Sequence, residues 1–403
     1  MSEMALKTRV RQGDSMRALV DAGLDRFRRG EVGSLPVVIG LVVIAVVFDR
    51  LNAHFLSAEN LTNLALQMAA TGTIALGIVL VLLLGEIDLS AGSVSGLTAV
   101  VMTQLSVHHG WNPVLAVAAA LGAGAAVGLL HGLARTMLGM PSFVVTLAGL
   151  IGWQGLMLYL LGKEGTVNLP FDHGIAKISD TWMQPGVSWA LVVLLAGGHL
   201  LASLRTRRRR ARAGLRVPGL GWVVARSGGL VVLLAATALV LNSDRGVPLT
   251  LIVFGGLVMI VDLLLQRTVF GRRVYAVGGN AEAARRAGIN VTRVRLAAFV
   301  GCSMLAAVGG ILAASRLVAV NQSSGGSDIL LNAIAAAVIG GTSLFGGRGR
   351  AYAALLGILV IQSITNGMLL LNVDSSVRFM VTAAVLAVSV AIDSVARRGA
   401  EGR

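Results

Sequence analysis

The chain has 403 residues, 55% of them hydrophobic and 13% charged, with a formal net charge of +15 and a mean hydropathy of +0.80. So much apolar surface excludes a soluble globular enzyme and leaves the bilayer as the solvent that suits the chain. A single cysteine, Cys302, set in an apolar run, excludes a disulfide framework and a thiolate metal site.

Residues 1–34 are of mixed charge and lack a short apolar region ending at a small-residue cleavage site. They are expected to be a cytoplasmic N-terminal segment, with the first apolar run kept as a span. A spanning helix needs about 20 apolar residues to cross ~30 Å of hydrocarbon. Such runs lie at 35–53, 61–84, 89–107, 112–134, 142–162, 187–204, 222–241, 248–265, 295–319, 329–345, 351–371 and 376–392. They are continuous and rich in Leu, Val and Ala, whereas barrel strands would alternate polar and apolar over about 10 residues. The expected fold is therefore all-α, a polytopic membrane domain over 35–392 with about 12 (10–14) spans. Small-residue runs such as 121–128 and 306–315 are expected to let helices approach closely.

The cations set the orientation. With spans in this order, Arg135, the 205–216 cluster, the 267–295 stretch, Arg348 with Arg350, and Arg397 with Arg398 all fall on the side of the N-terminus. Both termini, including the tail 393–403, are expected to be cytoplasmic. The arginine cluster then reads as an anchor beside anionic headgroups, so its partners are membrane lipids and not nucleic acid. The loop 162–186 reads as external and is long enough to need local structure or an external partner.

Four segments carry polar chemistry. In "LLLGEIDLSAGSVSG" (82–96), Glu86 and Asp88 interrupt apolar sequence, and each carboxylate at bilayer depth costs about 2.5–3.5 kcal/mol on insertion scales. Three readings stand: Asp88 or Ser90 caps a helix beginning near Leu89, the break lines a cavity for a polyol, or the acids bind a proton or sodium ion. In "MPSFVVTLAGLIGWQG" (140–155), Ser142, Thr146, Trp153 and Gln154 offer polar and aromatic surface to a sugar. In the 267–294 stretch, Asn280 can cap a short helix over 281–287. Glu282 sits in its first turn, Arg285 and Arg286 lie near its end, and Gly288 closes it. Thr292 can cap the next span. Such a helix is suited to receive motion from a soluble partner. In 331–357, Thr342 and Ser343 lie in a Gly-rich break that reads as a tight cytoplasmic turn or a pore-lining interruption. No GxxxxGK[ST] accompanies it. Asn63, Gln67, Gln104, Asn321, Gln362 and Asn366 read as helix-to-helix hydrogen-bonding groups. No catalytic constellation or paired-histidine metal spacing is present in the sequence.

"GEIDLSAGSV", "PSFVVTLAG", "GRRVYAVGGNAEAARRAGINV" and "AIAAAVIGGTSLFGGRG", in this order, resemble the permease subunits of ribose, xylose and related monosaccharide ABC importers, which are related to branched-chain amino acid permeases. The resemblance covers roughly 35–392. It implies a non-catalytic subunit of the bacterial inner membrane that binds no cofactor itself, ATP and Mg being used by a partner. It also implies a homodimeric pore, a cytoplasmic ABC ATPase docked at Asn280, Glu282, Arg285, Arg286 and Gly288, and a periplasmic or lipid-anchored sugar-binding protein. A region at about 163–245, with two apolar runs around the arginine cluster, is added relative to ribose permeases and looks like the xylose-type layout. Asn332 stands where ribose-type members often carry an acid. The expected activity is xylose import by alternating access; the alternative is an ion-coupled sugar transporter using Glu86 and Asp88.

Overall fold

A computed structural model describes residues 35–215, 217 and 219–401, so the expected N-terminal segment 1–34 and the last two residues of the tail lie outside the described residues. The described chain is mostly helical: α1 (Leu35–Leu51), α2 (Ala58–Leu82), α3 (Ala91–Thr103), α4 (Pro113–Met137), α5 (Ser142–Leu161), α6 (Lys177–Asp180), α7 (Pro185–Arg212), α8 (Leu220–Asn242), α9 (Leu249–Arg267), α10 (Val269–Gly279), α11 (Ala281–Arg286), α12 (Val291–Leu317), α13 (Ser327–Ile339), α14 (Tyr352–Leu370) and α15 (Ser375–Glu401). Helix starts follow local chemistry. Ser57 caps α2 by accepting from the Asn60 amide, and Asn112 caps α4 ahead of Pro113 by accepting from the Val114 amide.

Each of the twelve apolar runs holds a helix, but among the described residues eight are long and apolar enough to cross a membrane: α2, α4, α5, α7, α8, α9, α12 and α14. Length and composition thus support eight spans among the described residues, and the count of about twelve is not confirmed. Helices α3 and α13 have 13 residues each, α1 has 17, and the apolar part of α15 ends at Val388. The shortfall is physical. Helix α3 begins only after the buried break at 83–90 and runs on through a π-helical turn at Gln104–His108, while α13, about 20 Å long at 1.5 Å per residue, stops at the Gly-rich turn after Ile339.

The chain forms two compact units, Pro36–Trp182 with Pro248–Arg403, and Met183–Val247. In the larger unit α12 is the central helix, packed along α2, α3 and α4. Small residues make this possible. A Cβ on Gly77, Gly124 or Gly128 would lie 2.7, 2.9 or 2.5 Å from the carbonyls of Cys302, Ser303 or Phe299, so only glycine admits the neighbouring backbone. The amides do join helices. Asn60 and Asn366 exchange two hydrogen bonds between α2 and α14, Gln362 donates to Gln67 at 2.6 Å, and Gln104 donates to the Leu160 carbonyl.

The long loop has local structure. Strand β1 (Thr166–Asn168) pairs antiparallel with β2 (Ala319–Asn321), Val167 opposite Val320, and the Ser179 amide donates to Ser315 near the end of α12. Residues 163–182 thus belong with the larger unit. The smaller unit is an α7–α8 hairpin, in which Ser188 donates to Asn242 and α7 ends in Arg205, Arg207–Arg210 and Arg212.

Candidate functional site at a broken-helix junction

Helix α2 stops at Leu82, and the chain turns through Gly85, at φ +71°, before α3 starts at Ala91. Glycine is required here because the turn needs a left-handed residue within reach of the Phe345 carbonyl. The break is buried, so its amides need partners. Asp88 accepts from the Ser90 amide at 2.8 Å and from its hydroxyl at 2.6 Å. Ser142 accepts from the Ile87 amide at 3.2 Å, and Thr146 accepts from Leu89 at 3.0 Å. The capping reading is thus corrected in detail: Asp88 serves the amide just ahead of α3, while the Ser90 side chain makes no cap bond. Ser142 and Thr146 satisfy the break's backbone, and this is what their hydroxyls are engaged in.

Glu86 is only 5% exposed and carries two arginines. Arg135, at the end of α4, donates its Nε to both carboxylate oxygens at 2.9 and 3.0 Å. Arg295, in the second turn of α12, places its Nε 2.8 Å from Oε1, an ion contact and not an aligned hydrogen bond. A carboxylate held between two guanidinium groups joins three elements at one end of the bundle. Asp88 is deeper, at 1% exposure. Its Oδ2 has no hydrogen-bond partner among the described residues, and the Cys302 thiol lies beside the carboxylate.

A polar thread runs on from Ser90. Its Oγ lies 3.4 Å from His131 Nδ1, and Trp153 donates its indole N–H to His131 Nε2 at 2.9 Å. Trp153 therefore hydrogen-bonds to α4, and Gln154 is exposed. Sequence reasoning missed His131, Arg135 and Arg295 as members of this junction. His131 and Arg135 are one turn apart on α4, a spacing that places both on one face and could have signalled it.

The second break closes on the first. Thr342 and Ser343 are buried in a tight turn in which the Ser343 amide donates to the Arg348 carbonyl and the Gly347 amide donates to Leu83. Added Cβ atoms show how close the backbones are: one on Gly346 would meet Gly278 O and Gly85 N at 2.8 Å each, and one on Gly278 would collide with Leu83 O. Gly278 ends α10, so this helix meets both breaks backbone to backbone. Tyr275, one turn earlier, donates to the Gly349 carbonyl at 2.9 Å and accepts from Gln266. Burial first, and the Asp262 charge second, push its phenol above the ordinary tyrosine range, so it stays a neutral donor.

Next comes the capped helix. Asn280 accepts from the Ala283 amide at 2.9 Å, Glu282 pairs with Arg285 and Arg286 at 3.3 and 3.2 Å, and Gly288 at φ +80° lets the Ile289 amide return to Ala284. The helix ends at Arg286, one residue short of the expected range, and its charged side chains are exposed. Asn290, not Thr292, caps α12, because its side chain accepts from the Arg293 amide.

Apolar spanning helices around a buried, interrupted polar centre, with an exposed capped helix at one end, define a multi-pass membrane permease. The chain belongs to the family described as the branched-chain amino acid transport system / permease component, whose model matches residues 60–390. It is a non-catalytic transport subunit of the bacterial inner membrane. It is 37% identical over 349 residues to the xylose transport system permease protein XylH of Escherichia coli K12, covering 85% of this chain and 87% of that one. XylH of Haemophilus influenzae is 33% identical, over 90% and 96% of the two chains. The ribose import permease protein RbsC of Bacillus subtilis is 31% identical, over 90% and 94%. No solved structure matches the chain. The ion-coupled alternative finds no support in these relatives, and Glu86 is already neutralised by Arg135 and Arg295.

Proposed function

We propose that this chain is the pore-forming subunit of an ATP-binding-cassette importer that carries xylose into the cell by alternating access. The observation that carries the reading is the exposed helix Ala281–Arg286, fixed at both ends and continuous with two buried breaks: through Gly278 to the turns at Leu83–Gly85 and Gly346–Gly347, and through Arg295 to Glu86. A cytoplasmic ATPase pushing on Asn280, Glu282, Arg285, Arg286 and Gly288 would move the breaks without an intervening flexible segment. Glu86, Asp88, Ser90, Ser142, Thr146, Thr342 and Ser343 then hold the moving parts of the pathway in register. ATP and Mg bind the partner, a second copy of this chain completes the pore, and a periplasmic or lipid-anchored protein delivers the sugar. Xylose is favoured because two of the relatives above are named for xylose transport, and because the chain carries the longer layout around Met183–Val247.

Uptake into proteoliposomes holding the permease with its ATPase and binding protein tests this reading. Xylose entry that requires internal ATP and both partners, and survives collapse of the ion gradients, is the expected result. Gradient-driven entry by the chain alone would overturn it, and ATP-driven entry of ribose in place of xylose would overturn the choice of sugar.

A further inference from the structure

At the first break Glu86, Ser142 and Thr146 are engaged with ion or backbone partners, and the hydroxyl of Thr342 and Oδ2 of Asp88 are buried in tight turns, so a sugar needs accessible donors and acceptors elsewhere. A cavity of about 230 Å³ lies between α2, α3, the end of α12 and the loop before α13. It is bordered by Thr71, Ser95, Asn321, Ser323 and Asp328, with Ile74 and Leu317 among its apolar walls. Thr71 is the fourteenth residue of the 25-residue helix α2, so the cavity sits near the middle of that span. Its other walls come from α12, from α3 and from the first turn of α13; α3 and α13 each start just after an interruption of the chain's helices, and such interruptions are where transporters place substrate. The strand β2 that leads into it lies at the opposite end of α12 from Arg295 and the capped helix.

The packing that shapes this cavity is specific to glycine. A Cβ on Gly96 would collide with Ser324 O, one on Gly310 with Ser95 O, and one on Gly325, itself at φ +70°, with Gly92 O. These approaches press the 321–326 loop onto α3 and bring its hydroxyls and amide to the cavity. Asn321 Oδ1 already accepts from Ser323, which leaves its N–H₂ as a donor, while Thr71 and Asp328 supply a hydroxyl and an acceptor. The volume falls below the ~300–1,000 Å³ of drug-sized sites, and the named lining residues include no aromatic ring. Scattered hydroxyl-binding groups on an apolar wall suit a small polyol held weakly.

Building on the importer reading above, we infer that this cavity is the permease's own monosaccharide site, reached from the side opposite the capped helix. A labelling experiment on the purified full chain tests it. The sole native thiol, Cys302, is fully buried, so Ala313→Cys, on the cavity wall, supplies the reactive one. Xylose at tens of millimolar should slow its reaction with a water-soluble maleimide by about threefold or more, sucrose should not, and Thr71→Val should abolish the protection. In the complete importer, Thr71→Val and the cavity-filling Ala313→Leu should cut uptake about fivefold or more, while ATP hydrolysis stimulated by the loaded binding protein stays within about twofold. No labelling, equal protection by sucrose, or parental uptake in both variants would overturn the site. ATP-driven uptake by the parent without xylose protection would remove the site and leave the importer reading standing. Gradient-driven uptake by the parent would remove the importer reading, with the labelling result still deciding the cavity.

Discussion

Helix α2 and the α7–α8 hairpin are alike in hydropathy, 2.0 against 1.9 and 2.0, yet the apolar window of α2 is 89% buried while each hairpin helix buries 17%. Their glycines differ in the same sense. Gly72 and Gly77 of α2 have neighbouring atoms where a Cβ would stand, whereas Gly197, Gly198, Gly228 and Gly229 in the hairpin have nothing within 4 Å. Hydropathy alone tells that a segment prefers the bilayer; the spacing of small residues tells which faces meet protein. The polar network follows this division, since the two breaks and the polar thread to Trp153 all lie in the larger unit.

The comparison breaks most sharply through glycine. Gly128→Leu drives a side chain into the Phe299 carbonyl and is expected to cost about 3 kcal/mol or more, whereas Gly197→Leu in the hairpin should leave stability within about 0.5 kcal/mol. Thermal unfolding of the purified chain in detergent checks both, and equal losses would dissolve the distinction. Glu86→Gln comes next. It leaves two arginines facing a neutral amide, and because these remain about one-fifth exposed, the loss should fall near the lower end of the roughly 3–5 kcal/mol seen for broken buried pairs. Restoration by pairing Glu86→Gln with Arg135→Gln, measured in the same assay, would identify the uncompensated charge as the cause.

Smaller effects sharpen the picture. Asn280→Ala removes an N-cap and should lower local stability by about 1 kcal/mol. Global unfolding should hardly move, while sugar-dependent ATPase stimulation falls several-fold; unchanged stimulation would count against docking at this helix. A double-mutant cycle on Asn60 and Asn366 should return a coupling of about 0.6–1.7 kcal/mol, the range of hydrogen bonds between membrane helices. A coupling near zero would mean that the reciprocal amide pair adds nothing to the α2–α14 seam.

Much of this architecture is legible in the sequence, and the illegible parts share a cause. Twelve apolar runs locate the helices, and the caps at Asn280 and Gly288 are readable because they act within a few residues. The Gly-rich segment 340–349 reads as a turn for the same local reason. The partners of Glu86 are not readable, because Arg135 and Arg295 lie 49 and 209 positions away and their charges serve equally well as orientation signals. Ser142 and Thr146 look like free polar surface until the Ile87 and Leu89 amides are seen to need them. The lengths of α3 and α13 were likewise hidden, since hydropathy does not register where a run bends.

The junction of Gly85, Gly278 and Gly346 has a mechanical consequence. With no side chain on any of these three residues, there is nothing compressible between the end of α10 and the two turns it touches. Rotamer changes cannot absorb displacement there, so if the capped helix is driven as proposed above, a shift of about 1 Å in it would reach the two turns at similar size. A methyl group at Gly278 would collide with the Leu83 carbonyl, and under the proposed mechanism it would limit the stroke at a junction of bare backbone.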